Sequence, residues 1–125
     1  MVDSATRYLW LVPLKRKTAD AVAAAIFGED FSKTTVPSAL ITDRGTEFTN
    51  QVLDHLCQRL NISHFRTSGY HPACDGKCER SHFSIHNMIT KLLQDNQSTW
   101  PDWLHPIAVA YNAIVHVSTE MCPIT

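Results

Sequence analysis

Two acidic residues occupy positions from which carboxylates commonly bind metal ions. Asp43 directly follows the apolar run SALIT, and Glu79 lies near the start of a helical pattern, with 35 residues between them. Hard cations such as Mg²⁺ prefer carboxylate oxygens as ligands. Each acid also has a purely structural interpretation, because Asp43 could close a turn and Glu79 could favour a helix N-terminus. Their chemistry therefore depends on the elements that hold them.

The sequence predicts intermixed strands and helices. Predicted strands cover Arg7–Leu14, Ser38–Thr42 and Ile62–Thr67, and the second has the apolar character of a buried strand. Predicted helices begin at the Thr18 cap, at TNQVLDHLCQRLN, at Lys77 (running to about Gln94) and at WPDWLHPIAVAYNAIVH. Pro106 is expected to kink the last helix or to reset its start. This order predicts an α/β fold, a mixed sheet with packed helices.

Helical spacing also predicts which side chains are buried. One face of the second helix carries five apolar residues, Val52, Leu53, Leu56, Cys57 and Leu60. In the last helix, Trp103 and Tyr111 are expected in the core rather than at a partner surface.

Three ordered motifs carry a family resemblance. They are TDRGTEF, YHPACDGKCER and YNAIVHVSTEMCP. Together they resemble the catalytic core of retroviral-type integrases, especially those of gypsy-like LTR retrotransposons. The resemblance covers nearly the whole chain. It implies a ribonuclease-H-like fold, with a partial integrase core over residues 1–125.

The resemblance implies a metal-dependent reaction on DNA. Asp43 and Glu79 would be catalytic residues that bind two Mg²⁺ or Mn²⁺ ions, which suit in-line displacement at phosphorus. Gly45 would permit a tight turn beside Asp43. The reactions would be phosphodiester hydrolysis and strand transfer, which integrate element DNA into a target.

The resemblance also implies partners. The residues expected to contact DNA are Tyr70, Lys77, Arg80, His86 and Lys91. Ordinary solvated helix surface is the alternative for the basic residues among them. The same resemblance implies that the protein associates into a homo-oligomer. It also implies a nuclear location, which the protein would reach from the cytoplasm.

A third acid is expected upstream of Met1. The family's first catalytic Asp lies on the first strand, whereas Asp3 matches the second-strand segment, whose Asp is not a metal ligand. The first strand is therefore expected to be missing, and this chain alone is expected to be inactive.

Two alternatives use the same residues differently. His71, Cys74, Cys78 and His82 are residue types that bind tetrahedral zinc, although their spacing is not that of a standard finger. A second alternative keeps the ancestry without the enzyme, as an element remnant or a DNA- or protein-binding module.

Composition sets wider limits. The length of 125 residues fits one domain. A net charge of −1 gives no bulk attraction to nucleic acid. The N-terminus lacks the pattern of a signal peptide and no apolar run is long enough to span a bilayer, so neither secretion nor a membrane role is expected. The four cysteines are expected to be reduced thiols.

Overall fold

The computed structural model describes residues 1–28, 36–67, 83–91, 99–116 and 119–123. Its internal contacts divide the chain into two units. One unit combines Met1–Pro13 with Pro72–Thr125, and the other is Leu14–His71. The prediction of one domain over the whole chain stays a prediction.

The unit Leu14–His71 contains a strand–helix–strand motif preceded by a helix. The elements are α1 (Ala19–Phe27), β1 (Ala39–Thr42), α2 (Gln51–Arg59) and β2 (Ser63–Arg66). The two strands pair in parallel, as expected for strands joined through a helix. The Thr18 hydroxyl accepts a hydrogen bond from the Ala21 N–H at 3.4 Å, which confirms the predicted cap of α1.

The sheet of this unit is covered on one face only in the described residues. Leu40 packs against the core, whereas its neighbour Ile41 and the paired Phe65 are each 57% exposed. The prediction that SALIT forms a buried strand was therefore wrong, because only Thr42 of β1 is buried. Because side chains alternate along a strand, apolar character alone did not reveal which residues lose contact with water.

The core of this unit lies between α1 and α2. Its buried members are Val22, Ile26, Leu53, Cys57 and Ile62. The buried face of α2 is narrower than predicted, because Val52 and Leu60 are exposed and only Leu53 and Cys57 are buried. Burial raises the pKa of the Cys57 thiol, which keeps this thiol protonated near neutral pH.

The other unit begins with a short antiparallel pairing. Val2 bridges to Leu9, and the Trp10 N–H donates to the Met1 carbonyl at 2.9 Å. The predicted strand Arg7–Leu14 was wrong as a regular strand, since residues 7–14 contribute only the isolated bridge at Leu9. Pro13 has no N–H to extend such pairing.

Two helices and an isolated antiparallel bridge between His116 and Met121 follow in the described part of this unit. The helices are α3, described over residues 83–91, and α4 (Trp100–Asn112). Leu9, Ile85 and Tyr111 form the buried cluster. Pro101 lies in the first turn of α4 as predicted, but the helix runs continuously through Pro106, so this proline does not reset its start.

The two aromatic predictions for α4 had different outcomes. Tyr111 is buried as predicted, whereas Trp103 is 38% exposed and does not belong to the core. Across the described residues, no helix combines the length and the apolarity that crossing a bilayer requires.

Candidate functional site: the Asp43 loop

Asp43 is exposed immediately after the last residue of β1. Its Oδ1 accepts a hydrogen bond from the Gly45 N–H at 2.9 Å, and the Phe48 N–H donates to the Gly45 carbonyl at 2.9 Å. Residues 43–48, named here the Asp43 loop, therefore form a turn that orients the carboxylate. A carboxylate has two oxygens with several acceptor positions, so a turn acid retains the capacity to bind a cation.

A larger residue at Gly45 would require the flexible end of the Glu47 side chain to shift. The Gly45 N–H and carbonyl both take part in the turn, which agrees with the predicted tight turn beside Asp43. No glycine in the described ranges has positive φ, so this turn does not use a left-handed backbone at Gly45. A Cβ at this position would lie 2.8 Å from the carboxylate atoms of Glu47. The Glu47 carboxylate is held in place by the Lys17 ammonium at 3.1 Å.

A network of polar side chains lies behind the Asp43 loop. The Thr42 hydroxyl is 2.9 Å from Nε2 of His64, and Nδ1 of the same ring is 3.2 Å from Oδ1 of Asp54. Arg66 donates from Nη2 to this Asp54 oxygen at 2.6 Å and to the Phe48 carbonyl at 3.4 Å. One carboxylate oxygen thus connects to both ends of the loop.

The network also sets the charge of Asp54. Hydrogen bonding to His64, followed by the Arg66 charge, lowers the pKa of Asp54. The carboxylate is therefore ionised at neutral pH and suited to bind both partners. The sequence contained one signal for this arrangement: His64 and Arg66 are two residues apart on a strand and so share a face.

Three of the seven predicted site residues lie in the described ranges. Besides Asp43, these are His86 and Lys91, which are both exposed on α3. The other four, Glu79, Tyr70, Lys77 and Arg80, lie outside the described residues. The convergence of Asp43 with Glu79 and the DNA contacts therefore stay predictions.

The zinc alternative is not tested by the described residues. All four of its ligands, His71, Cys74, Cys78 and His82, fall outside them. Within the described ranges, no group of three His, Cys, Asp or Glu side chains is placed to bind one metal ion.

Asp3 has a structural role in the N-terminal turn. Its Oδ2 accepts hydrogen bonds from the N–H and the hydroxyl of Thr6, both at 2.7 Å. These bonds, the backbone N–H first, lower the pKa of Asp3. In the described structure Asp3 therefore stabilises a turn through Thr6, and its assignment as an acid that does not bind metal stays a prediction.

Comparison with known proteins defines the family. The family model for the integrase core domain matches residues 1–72, which is more than half of the chain. The chain belongs to the integrase core domain family. This confirms the resemblance drawn from the three motifs.

Two curated relatives of this integrase core match almost its whole length. The retrovirus-related Pol polyprotein from transposon 412 of Drosophila melanogaster is 29% identical over 98% of the chain, which spans 10% of that polyprotein. KRAB-A domain-containing protein 2 of Homo sapiens is 31% identical over 97% of the chain, which spans 25% of that protein. The integrase core thus corresponds to a minor part of each relative.

A solved structure confirms the fold of the integrase core. The crystal structure of the catalytic core domain of BIV integrase matches with a TM-score of 0.71 at 24% identity, covering 90% of this chain and 71% of that one. The predicted ribonuclease-H-like α/β class is therefore correct.

Proposed function

We propose that this integrase core takes part in DNA integration through metal-dependent phosphodiester hydrolysis and strand transfer. Family membership supports the reaction class. The observation that carries the proposal is the exposed Asp43 carboxylate, oriented at the end of β1 by the Gly45 N–H.

The chain supplies carboxylates to the reaction. Asp43 and Glu79 would bind Mg²⁺ or Mn²⁺, because these hard cations select oxygen ligands. Two such ions, when bound, would activate the attacking oxygen and stabilise the leaving oxygen. The Asp43 loop keeps its carboxylate pointing into solvent, where a phosphodiester can approach.

DNA is the partner that this chemistry requires. Tyr70, Lys77, Arg80, His86 and Lys91 are the proposed contacts, and the exposure of the last pair on α3 is compatible with that role. The intact protein would act in the nucleus as a homo-oligomer.

The test is a nicking assay on the full reading frame that contains this chain. Wild-type protein should cleave a labelled DNA duplex in Mn²⁺ or Mg²⁺. Asp43→Asn and Glu79→Gln should each lower the rate roughly 100-fold or more, because each removes a charged ligand. DNA affinity, measured by fluorescence anisotropy, should change little.

A matched control uses another exposed carboxylate of the same unit. Asp20 lies in the first turn of α1, and Asp20→Asn should leave the cleavage rate unchanged. Wild-type cleavage that persists in Asp43→Asn would refute the proposal.

A second candidate is a binding module without catalysis. It is favoured by the 31% identity to KRAB-A domain-containing protein 2, whose name is not that of a Pol polyprotein. In the same assay this candidate predicts metal-independent DNA binding and no cleavage by the wild type.

A further inference from the structure

The Asp43 loop is attached at both ends to one carboxylate. Thr42, the residue before the loop acid, is bound through His64, and Phe48 at the far end is bound through Arg66. Both routes converge on Oδ1 of Asp54, at 3.2 Å and 2.6 Å. The three residues Asp54, His64 and Arg66 are named here the loop clamp.

We propose that the loop clamp positions Asp43 for metal binding and catalysis, with His64 as the positioning residue that fixes the backbone before the acid. This inference rests on the proposed function. In this role His64 itself touches neither DNA nor metal. It acts by fixing the backbone at the end of β1, which limits the orientations that the Asp43 carboxylate can adopt.

Burial excludes two competing roles for His64. Its side chain is only 6% exposed, so it cannot contact DNA from this position. The order hydroxyl, imidazole, carboxylate resembles a hydrolase triad, but Thr42 is only 9% exposed. A nucleophile must reach its substrate, whereas this hydroxyl faces the imidazole inside the fold.

The Thr42 backbone is already hydrogen-bonded to Thr67, so the bond between its side chain and His64 adds a second restraint. Its carbonyl accepts from the Thr67 N–H at 2.9 Å and from the Thr67 hydroxyl at 3.4 Å. With its side chain held by His64 as well, Thr42 is bound from two directions. Asp43 is the next residue along the chain, so fixing the Thr42 backbone also limits the positions that the Asp43 carboxylate can adopt. Small displacements of a catalytic group cost large factors in rate, on the order of 100-fold for about 1 Å.

The decisive variants change the Thr42 hydroxyl. Thr42→Val removes the hydrogen bond at nearly constant shape, and Thr42→Ser retains it. In the nicking assay on the full reading frame, Thr42→Val should lower kcat about 10- to 100-fold with little change in KM for DNA. Thr42→Ser should recover most of the rate. Ser63→Ala, which removes an exposed hydroxyl from β2, is the matched control and should behave as wild type.

Hydrogen exchange measures the loop directly. The amides of Gly45 and Phe48 are both hydrogen-bonded within the loop, so they report its order. Peptides covering residues 43–48 should exchange about tenfold faster in Thr42→Val than in wild type or Thr42→Ser. Wild-type kcat and unchanged exchange in Thr42→Val would overturn the inference.

A double variant separates positioning from stability. Thr42→Val leaves a buried ring nitrogen without its partner, whereas Thr42→Val with His64→Phe removes both polar groups and should recover stability. If the clamp positions Asp43, kcat should remain low in the double variant. Recovery of kcat together with stability would show that the clamp is only structural.

The failure of the proposed function would be visible separately. Wild type and Asp43→Asn would then be equally inactive in the nicking assay. The rate of amide hydrogen exchange over residues 43–48, compared between Thr42→Val and wild type, would still decide whether the loop clamp orders the loop.

Discussion

A single buried amide connects α4 to the N-terminal pairing. The side chain of Asn112, 1% exposed, accepts from the Leu9 N–H at 2.8 Å and donates to the Leu9 carbonyl at 3.0 Å. An amide satisfies a donor and an acceptor at once, so it substitutes for a neighbouring strand. This explains why the polar residue of the YN motif lies inside the fold, beside the buried Tyr111.

Replacement of this amide should be costly. Asn112→Leu keeps a similar volume but leaves two buried backbone groups of Leu9 unpaired, at about 1–3 kcal/mol each. We expect a loss of about 2–4 kcal/mol in the free energy of unfolding, measured by urea titration. Asn87→Leu, at an exposed position on α3, is the control and should change stability by less than about 0.5 kcal/mol. A similar small change for Asn112→Leu would show that the Leu9 groups find other partners.

At the scale of elements, α2 ends in a motif that directs the chain into β2. The Ile62 N–H donates to the Cys57 carbonyl at 2.8 Å, and the Asn61 N–H donates to the Gln58 carbonyl at 3.2 Å. Asn61 has a φ of 56°, in the left-handed region. These features define a Schellman motif, in which Ile62 packs into the core beside Cys57.

The left-handed residue gives a direct test of this motif. Asn61→Gly should be neutral or slightly stabilising, whereas Asn61→Val should lower the free energy of unfolding by about 1–2 kcal/mol, because a β-branched residue is strained at positive φ. Thermal unfolding of the two variants measures the difference. Gln58→Val, inside α2 and so at ordinary helical angles, should cost only about 0.5 kcal/mol. Equal losses for the two valine variants would contradict the strained geometry.

At the scale of the whole molecule, the sequence predicted features that depend on neighbouring residues. It did not predict features that depend on contacts between distant parts of the chain. The cap at Thr18, the β1 and β2 strands and the turn at Asp43 and Gly45 all follow from neighbouring residues. The extent of burial did not, since Ile41 and Trp103 are exposed despite apolar patterns. Burial depends on which element covers a face, and one chain's periodicity does not contain that information.

The loop clamp was missed for a related reason. Its members come from α2 and β2 and meet Thr42 on β1, so their side chains are brought together only by the parallel register. Apart from the shared strand face of His64 and Arg66, nothing in their sequence spacing distinguishes them from solvated polar residues. Asn112 likewise reaches Leu9 across 103 positions.

Acid stability is a property to which both units contribute. The pKa of Asp3 is lowered by the Thr6 donors, that of Asp54 by His64 and Arg66, and that of Glu47 by its own backbone N–H and then Lys17. A carboxyl with a lowered pKa in the folded state binds fewer protons there than in the unfolded chain. Its stabilisation is complete above the ordinary values of 3.8 for Asp and 4.5 for Glu, and it is lost as the pH falls through the folded pKa.

Unfolding by urea should therefore require less denaturant as the pH falls below these values. Asp3→Asn retains an oxygen acceptor for Thr6 but cannot ionise, so its deficit against wild type should be largest near pH 7 and should shrink towards about pH 3. Ser4→Ala, in the same turn, should follow the wild-type curve at every pH. Asp54→Asn should show the same converging pattern in the other unit, because its charge interactions with His64 and Arg66 are lost. Curves that stay parallel across this range would mean that these carboxyls have the same pKa in the folded and unfolded chains.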